Sequence, residues 1–354
     1  MDLATDILLI RRLGESLRDI SERFEKVTLV ALNSKDNRSH CDKIEVENIE
    51  VKVFNRLTLS LVIFVLFRAK GSQILFYHQS KFFFLFPVLK LIAIKSTVYL
   101  GVAPRVSLFE GSQGWMFRLH SLFFKFAMRH CDKVVVRGIE NSIFARNHSS
   151  NVFEVSSVSH KSKSLLTSPL IVRKGKQNKS FKILFVGKWE EQKNHKLFLD
   201  SAEFLVETLG EQERQRLAIN IIGNGEFENN LIIPEILRGI LTFTGYLSRT
   251  SLVQELKTAN LLVHPSKEEG LPRVFEEALY CGLPILVSDL PGIPSQFYKS
   301  QDEMRLTIIN QQNPEIWARH MKTCFKTQVS RKLLTKADLE RLDHFFGDYF
   351  VDIL

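Results

Sequence analysis

From Val27 onward the chain alternates short apolar runs with segments of helical periodicity, and it does so twice. In the first half VTLVAL (27–32), IEVKVF (49–54), ILFYH (74–78), TVYLGV (97–102) and KVVV (133–136) have the length and β-branched content of strands. Helical patterns fill 57–69, 81–94 and 114–130. Short apolar runs of this kind, alternating with helical segments, are the pattern of a parallel sheet covered on both faces. The fold class that follows is α/β with a parallel sheet between helices.

The cationic, aperiodic run RKGKQNKS (173–180) reads as a linker, and directly after it a second α/β series begins. Its strands are expected at 182–187, 217–223, 240–245, 260–266 and 284–289. With 354 residues the chain exceeds one ordinary core. The expected division is 1–175, 176–340 and a terminal helix over 341–354 that could pack back on the first domain. Ahead of the first strand, Ile7, Ile10, Leu13, Leu17, Ile20 and Phe24 recur at intervals of three and four, the spacing of an amphipathic helix.

Several classes are excluded early. The longest uncharged stretches, 57–67 and 278–288, have eleven residues, whereas a membrane-spanning helix needs roughly 20. The first fifteen residues mix acidic and basic side chains with apolar ones, unlike a secretory signal, so the expected location is the cytoplasm. Cysteines 41, 131, 281 and 324 are scattered, without the spacing of a disulfide framework or a metal site.

The net charge of +9 is unevenly spread. Residues 51–180 hold 20 Lys/Arg against 4 Asp/Glu, a balance of +16, so the remainder sums to −7. The same stretch holds 15 of the 28 phenylalanines. Cations interleaved with bulky apolar groups suit an anionic membrane surface, and they equally suit a basic exterior over a Phe-rich core. The segment 114–130 carries the same two readings. No stacking or groove-reading motif accompanies the charge, so nucleic acid is not an expected partner.

Ligands of open α/β sheets bind at the carboxyl ends of the strands, and the informative residues lie there. Lys188 follows the strand at 182–187, and Lys193 stands just before the next helix. Two ammonium groups beside a helix N-terminus suit a diphosphate. Glu269 and Glu277 follow the strand at 260–266 with seven residues between them. A helix over 274–281, stopped by Gly282, places Glu269 in the loop and Glu277 one turn in, so both can grip hydroxyls in one crevice. The turn Gly270, Leu271, Pro272 can bring backbone N–H groups close to phosphate. The bland alternative makes Glu269 and Glu277 solvated, as Glu268 and Glu276 beside them are expected to be.

The segment EEGLPRVFEEALYCGLPILVSDLPGIP resembles the donor-binding segment of glycosyltransferase family 4, and FVGKWEEQKNHKLFLDSA, IIGNGEFENNL and FTGYLSRTSLVQELKTANLLVHPS follow the family in order and separation. The resemblance covers about 181–298. It implies the GT-B architecture, two Rossmann-like domains facing across a cleft, and retaining transfer of a sugar from a nucleotide-sugar donor to a glycan or lipid-linked acceptor in surface polysaccharide biosynthesis. It further implies that Lys188 and Lys193 hold the diphosphate, Glu269 the sugar and Glu277 the ribose, with Tyr246 and Leu247 at the base. Catalysis would then rest on Glu269, Lys188 and Lys193 and need no cofactor or metal, and the chain has no Asp-x-Asp pair. The family has Arg where Lys188 stands, so a bidentate phosphate contact becomes a point charge.

The resemblance thins toward the N-terminus. The family's first strand and Gly-rich loop precede its opening helix, whereas this chain reaches Gly14 only within the periodic run. Three explanations stand open: a start farther upstream, a first strand at 6–10, or a degraded relative. The family's acceptor-side histidine is replaced by Leu100, Gly101 and Val102, which leaves His78 as a substitute or as a buried structural histidine. A catalytically silent GT-B scaffold is the rival function; an epimerase or phosphorylase lacks its own signature residues here.

Overall fold

The computed structural model describes residues 27–32, 49–54, 58–77, 83–100, 115–156, 158, 160–168, 180–224, 232–293, 295–299, 301 and 305–347. The chain forms two compact units, Met1–Ser159 with Gly347–Leu354, and His160–Phe346. The expected linker at 173–180 lies almost wholly outside the described residues, as do the opening periodic run and His78.

In the first unit β1 (Val27–Leu32) pairs parallel with β2 (Ile49–Phe54). β3 (Gln73–Tyr77), β4 (Lys95–Leu100), β5 (Lys133–Val136) and β6 (Val152–Glu154) form a four-stranded sheet in sequence order, every pair parallel. The helices are α1 (Leu59–Ala69), α2 (Phe86–Ile92), α3 (Trp115–His130) and α4 (Ile139–Arg146). Right-handed crossovers between neighbouring parallel strands put α2, α3 and α4 on one face of this sheet. Beneath them lies an aromatic core in which the Phe83 ring stacks on Phe76 at 5.4 Å and meets Phe124 edge-on at 5.0 Å. Phe-rich sequence here is therefore core-forming, but only on one side: α3 buries Phe124, Ala127 and Met128 while Leu119, Leu122 and Phe126 remain exposed.

The second unit is built on one six-stranded parallel sheet in the order β12-β11-β10-β7-β8-β9. The strands are β7 (Phe181–Val186), β8 (Leu217–Ile222), β9 (Leu241–Gly245), β10 (Leu261–His264), β11 (Ile285–Ser288) and β12 (Leu306–Ile309). Around them pack α5 (His160–Thr167), α6 (His195–Glu207), α7 (Arg249–Thr258), α8 (Arg273–Tyr280), α9 (Pro314–Lys326) and α10 (Lys336–Phe346). All residues of β10 and β11 are buried, as apolar runs covered on both faces require. The chain enters at the centre with β7, builds outward through β8 and β9, then returns to β10 on the other side. The order reverses between β7 and β10, and a crevice opens at such a reversal.

The edge strands β6 and β12, three and four residues long, have no counterpart among the sequence-expected strands. The helix expected at 274–281 runs Arg273–Tyr280 and ends as foreseen at Gly282, whose φ of +63° and contact with the Lys332 carbonyl leave no room for a side chain. Cys131 and Cys281 are buried free thiols and Cys324 is partly buried and free; Cys41 lies outside the described residues. Among the described residues no helix is long and apolar enough to cross a membrane.

The N-terminus of α10 is closed by a reciprocal cap. Asp338 N–H donates to Thr335 Oγ1 at 3.2 Å and Thr335 N–H donates to Asp338 Oδ2 at 2.9 Å. Lys332 Nζ donates to Asp338 Oδ1 at 2.6 Å, and with the Thr335 N–H it pushes the Asp338 carboxyl down to about 2. Thr335→Ala should cost about 1 kcal/mol in urea unfolding at pH 7. A depressed folded pKa stabilises above the ordinary carboxylate pKa, so the Asp338 contribution should be complete above pH about 4 and fade toward pH 2.

Candidate functional site

The two central strands bring the sequence-expected residues to one end of the sheet. β7 runs out through Gly187 and Lys188 into a short turn, Glu191–Lys193, and α6 begins at His195. Asn194 between them takes the left-handed conformation, φ +56°, an arrangement Asn tolerates. The next strand inward, β10, ends at His264 and leads through Ser266 to Glu269. Lys193 Nζ donates to Glu269 Oε1 at 2.5 Å, so a residue following β7 meets one following β10 across the reversal of strand order.

The other carboxylate oxygen of Glu269 is held as well. His264 Nε2 lies 2.8 Å from Glu269 Oε2, and Ser266 Oγ donates to the same atom at 3.3 Å. An ionised carboxylate only accepts, so the hydrogen between His264 and Glu269 belongs to Nε2. Burial works to raise the pKa of Glu269; the hydrogen bond from His264, the field of that ring and the Lys193 ammonium outweigh it and hold the carboxyl well below the usual range. Glu269 is therefore no solvated loop acid. It is a fixed anion with a quarter of its side chain open to the crevice.

Lys188 sits in the same turn and is more exposed, its ammonium 3.4 Å from Glu190. The backbone around it is bare. A Cβ on Gly223, at the end of β8 with φ +140°, would fall 1.8 Å from the Gly187 carbonyl oxygen. A Cβ on Gly187 would press the Lys193 stem at 3.3 Å. Glycine at both positions lets β7 and β8 close tightly and lets Lys193 lie across their ends.

Glu277 is buried in α8, 2% exposed, and not a helix-surface acid. Arg249 Nη1 donates to its Oε1, and Arg273 Nε lies 2.8 Å from the same oxygen. Arg249 opens α7 directly after Tyr246, Leu247 and the capping Ser248. Its ion pair therefore ties the Tyr246–Leu247 loop to the helix carrying Glu277. Glu276, expected at the surface, is fully buried; its neighbours in α8 are buried on every side, so this helix has little outer face. Glu268 is exposed as expected.

The Gly270–Leu271–Pro272 turn is shaped from behind by a residue the sequence reading passed over. A Cβ on Gly292 would lie 2.2 Å from the Gly270 carbonyl carbon and 2.4 Å from the Leu271 nitrogen. Arg249, Arg273, Ser266 and the coupling of His264 to Glu269 were missed too. The available signals were a basic residue at a helix start, and a histidine ending the strand that leads to Glu269. His195, by contrast, is a packing residue: its ring stacks on Trp189 at 4.4 Å, and burial, aided by Lys193, pushes it down to about 4. Among the described residues no group of three His, Cys, Asp or Glu could hold a metal ion.

A family model described as glycosyl transferases group 1 matches residues 169–339. The sulfoquinovosyl transferase SQD2 of Arabidopsis thaliana is 26% identical over 146 residues, 41% of this chain and 28% of that protein. The match thus spans under a third of that relative's length. Among solved structures, a glycosyltransferase from Rickettsia africae ESF-5 superposes with a TM-score of 0.62 at 11% identity, covering 92% of this chain and 95% of that one. WaaG, a glycosyltransferase involved in lipopolysaccharide biosynthesis, gives 0.59 at 13%, covering 95% of each chain. HepE of Anabaena in complex with UDP gives 0.59 at 15%, covering 91% of this chain and 96% of that one. At these identities the likeness carries the fold, and the fold is GT-B, as the resemblance implied.

Two substitutions test the geometry through stability alone. Gly292→Ala must displace the Gly270–Leu271 backbone and should cost about 1–3 kcal/mol in urea unfolding. Glu269→Gln leaves Lys193 facing a neutral amide and should cost about 1–3 kcal/mol at pH 7. Because the Glu269 carboxyl titrates below its ordinary range, that difference should persist at pH 5 and shrink only on stronger acidification.

Proposed function

We infer, from the match of residues 169–339 to the glycosyl transferases of group 1, that the protein transfers a sugar from a nucleotide-sugar donor to a hydroxyl acceptor with retention at the anomeric carbon. The observation that carries the reading is the contact of Lys193 with Glu269 across the β7–β10 reversal. It sets a phosphate-binding cation and a hydroxyl-binding anion side by side, as a sugar joined to a pyrophosphate requires.

In this reading Lys193 and the more exposed Lys188 take the diphosphate, and the turn at Gly270–Leu271 offers backbone N–H groups to it. Glu269 accepts hydrogen bonds from the sugar hydroxyls. His264 and Ser266 keep its carboxylate oriented while Lys193 moves from carboxylate to phosphate. Glu277 accepts from the ribose through Oε2, since both arginines reach Oε1 and a carboxylate has about four lone-pair sites. Tyr246 and Leu247, tied to Glu277 through Arg249, border the base.

The bond from the anomeric carbon to the diphosphate breaks as the acceptor oxygen approaches the same face, and the acceptor proton leaves with the departing phosphate. Lys188 and Lys193 stabilise the charge that develops there, in place of a metal ion. A neighbour of the same fold, HepE of Anabaena, is solved in complex with UDP and with UDP-glucose. For the acceptor we favour a glycan or lipid-linked glycan of surface polysaccharide synthesis, reached from the cytoplasmic side, with peripheral membrane contact through the basic, Phe-rich 51–180 region.

Calorimetric titration with uridine, guanosine and adenosine diphosphates should give binding to at least one of them, weakened at least tenfold in Lys193→Met. Glu269→Ala should abolish hydrolysis of the matching donor while diphosphate binding persists. Unchanged turnover in Glu269→Ala would overturn the site. No binding of any diphosphate would favour a silent scaffold of the same fold.

A further inference from the structure

The first unit carries an apolar surface that its own core does not use. On α1, Leu59, Ile63 and Phe67 stand at intervals of four residues, one above another on the helix, and are 75%, 58% and 79% exposed. α1 packs on α2 and α2 on α3. Across this layer the exposure continues with Leu91 on α2, 85% exposed, and Leu122 on α3, 65% exposed. Single exposed apolar residues are ordinary, but a contiguous set on adjacent helices marks an interaction surface.

The charge around this surface says what covers it. Helices α1, α2 and α3 contain no Asp or Glu. Lys70 just past α1, Lys95 at the start of β4 after α2, and Arg118, Lys125 and Arg129 on α3 are all exposed. The carboxylates that border the layer are already engaged: Glu50 pairs with Arg68 at 2.8 Å and Asp132 with Lys90 at 2.5 Å. On α3, Arg118, Lys125 and Arg129 alternate with Leu119, Leu122 and Phe126 along one exposed side. Apolar side chains for the acyl boundary, ringed by cations and free of carboxylates, match a surface of anionic lipid headgroups.

We propose that the outer layer formed by α1, α2 and α3 is a docking surface for an anionic lipid bilayer, with Leu59, Ile63, Phe67, Leu91 and Leu122 entering the interface and the flanking lysines and arginines meeting the headgroups. The proposal rests on the membrane contact offered above and gives it an address; it does not depend on sugar transfer. A helical surface lying in the interface leaves the protein peripheral.

The test is co-sedimentation of the full chain with vesicles of phosphatidylcholine alone and of phosphatidylcholine with 30% phosphatidylglycerol. The chain should bind the anionic vesicles at least tenfold more tightly, and the binding should fall as salt rises. The triple variant Leu59→Gln, Ile63→Gln, Phe67→Gln replaces exposed residues only, so its circular dichroism should match wild type while binding drops at least tenfold. The charge variant Lys70→Glu, Arg118→Glu, Lys125→Glu should lose the preference for anionic lipid. Binding of wild type with no change in either variant would overturn this surface while leaving membrane contact elsewhere intact. No binding of wild type to any vesicle would overturn both. If wild type instead forms a dimer that the triple variant dissolves, and binds no vesicles, the surface joins copies of this chain and the proposal fails. Diphosphate titration is unaffected in every case, so the donor site is judged separately.

Discussion

The Lys193–Glu269 ion pair is the contact around which the polar groups at this end of the second unit's sheet are arranged. A lysine and a glutamate 76 positions apart meet because the sheet reverses its order between β7 and β10. A pair this enclosed returns little net stability in itself, since taking two charges from water costs much of what their attraction returns. Its value on the proposed reading lies in poise: both side chains are oriented by this contact and partly open, so each would exchange its partner for a piece of a sugar diphosphate.

The surroundings of that pair read as devices for holding it. His264 and Ser266, buried at the end of β10, take one oxygen of Glu269 and leave the other for Lys193. Gly187 and Gly223 clear a path along which the Lys193 stem can lie. Gly292 supports the turn beside Glu269 from behind. The second cluster, Arg249 and Arg273 on Glu277, links the Tyr246–Leu247 loop to α8 and so fixes the distance between two loops that would grip opposite ends of one nucleoside. None of these supporting residues would need to touch the reacting atoms.

The sequence made the scaffold readable and the supports not. Short apolar runs such as LLVH and PILV, bounded by turn residues, have the length of buried parallel strands, and Gly282 marked the end of α8 because glycine takes that backbone comfortably. The spacing of Glu269 and Glu277 was legible since one strand, one loop and one helix carry both. Arg249 was not, because its partner lies on a different helix and no local pattern announces a tertiary ion pair. Gly292 escaped for a similar reason: the backbone it must not touch is 22 residues away in sequence. Glu276 misled because adjacent acids are usually solvated, whereas α8 is buried nearly all round. In the first unit, composition left a Phe-rich core and a basic, apolar exterior as alternatives, and α3 turns out to have both faces.

The account is tested most directly by a crystal structure of the protein soaked with the nucleoside diphosphate it binds. It predicts a phosphate oxygen at about 3 Å from Lys193 Nζ, with the ammonium shared between phosphate and Glu269 or moved to the phosphate, and His264 still holding Glu269. A diphosphate bound away from the ends of β7 and β10, with the Lys193–Glu269 pair undisturbed, would contradict it.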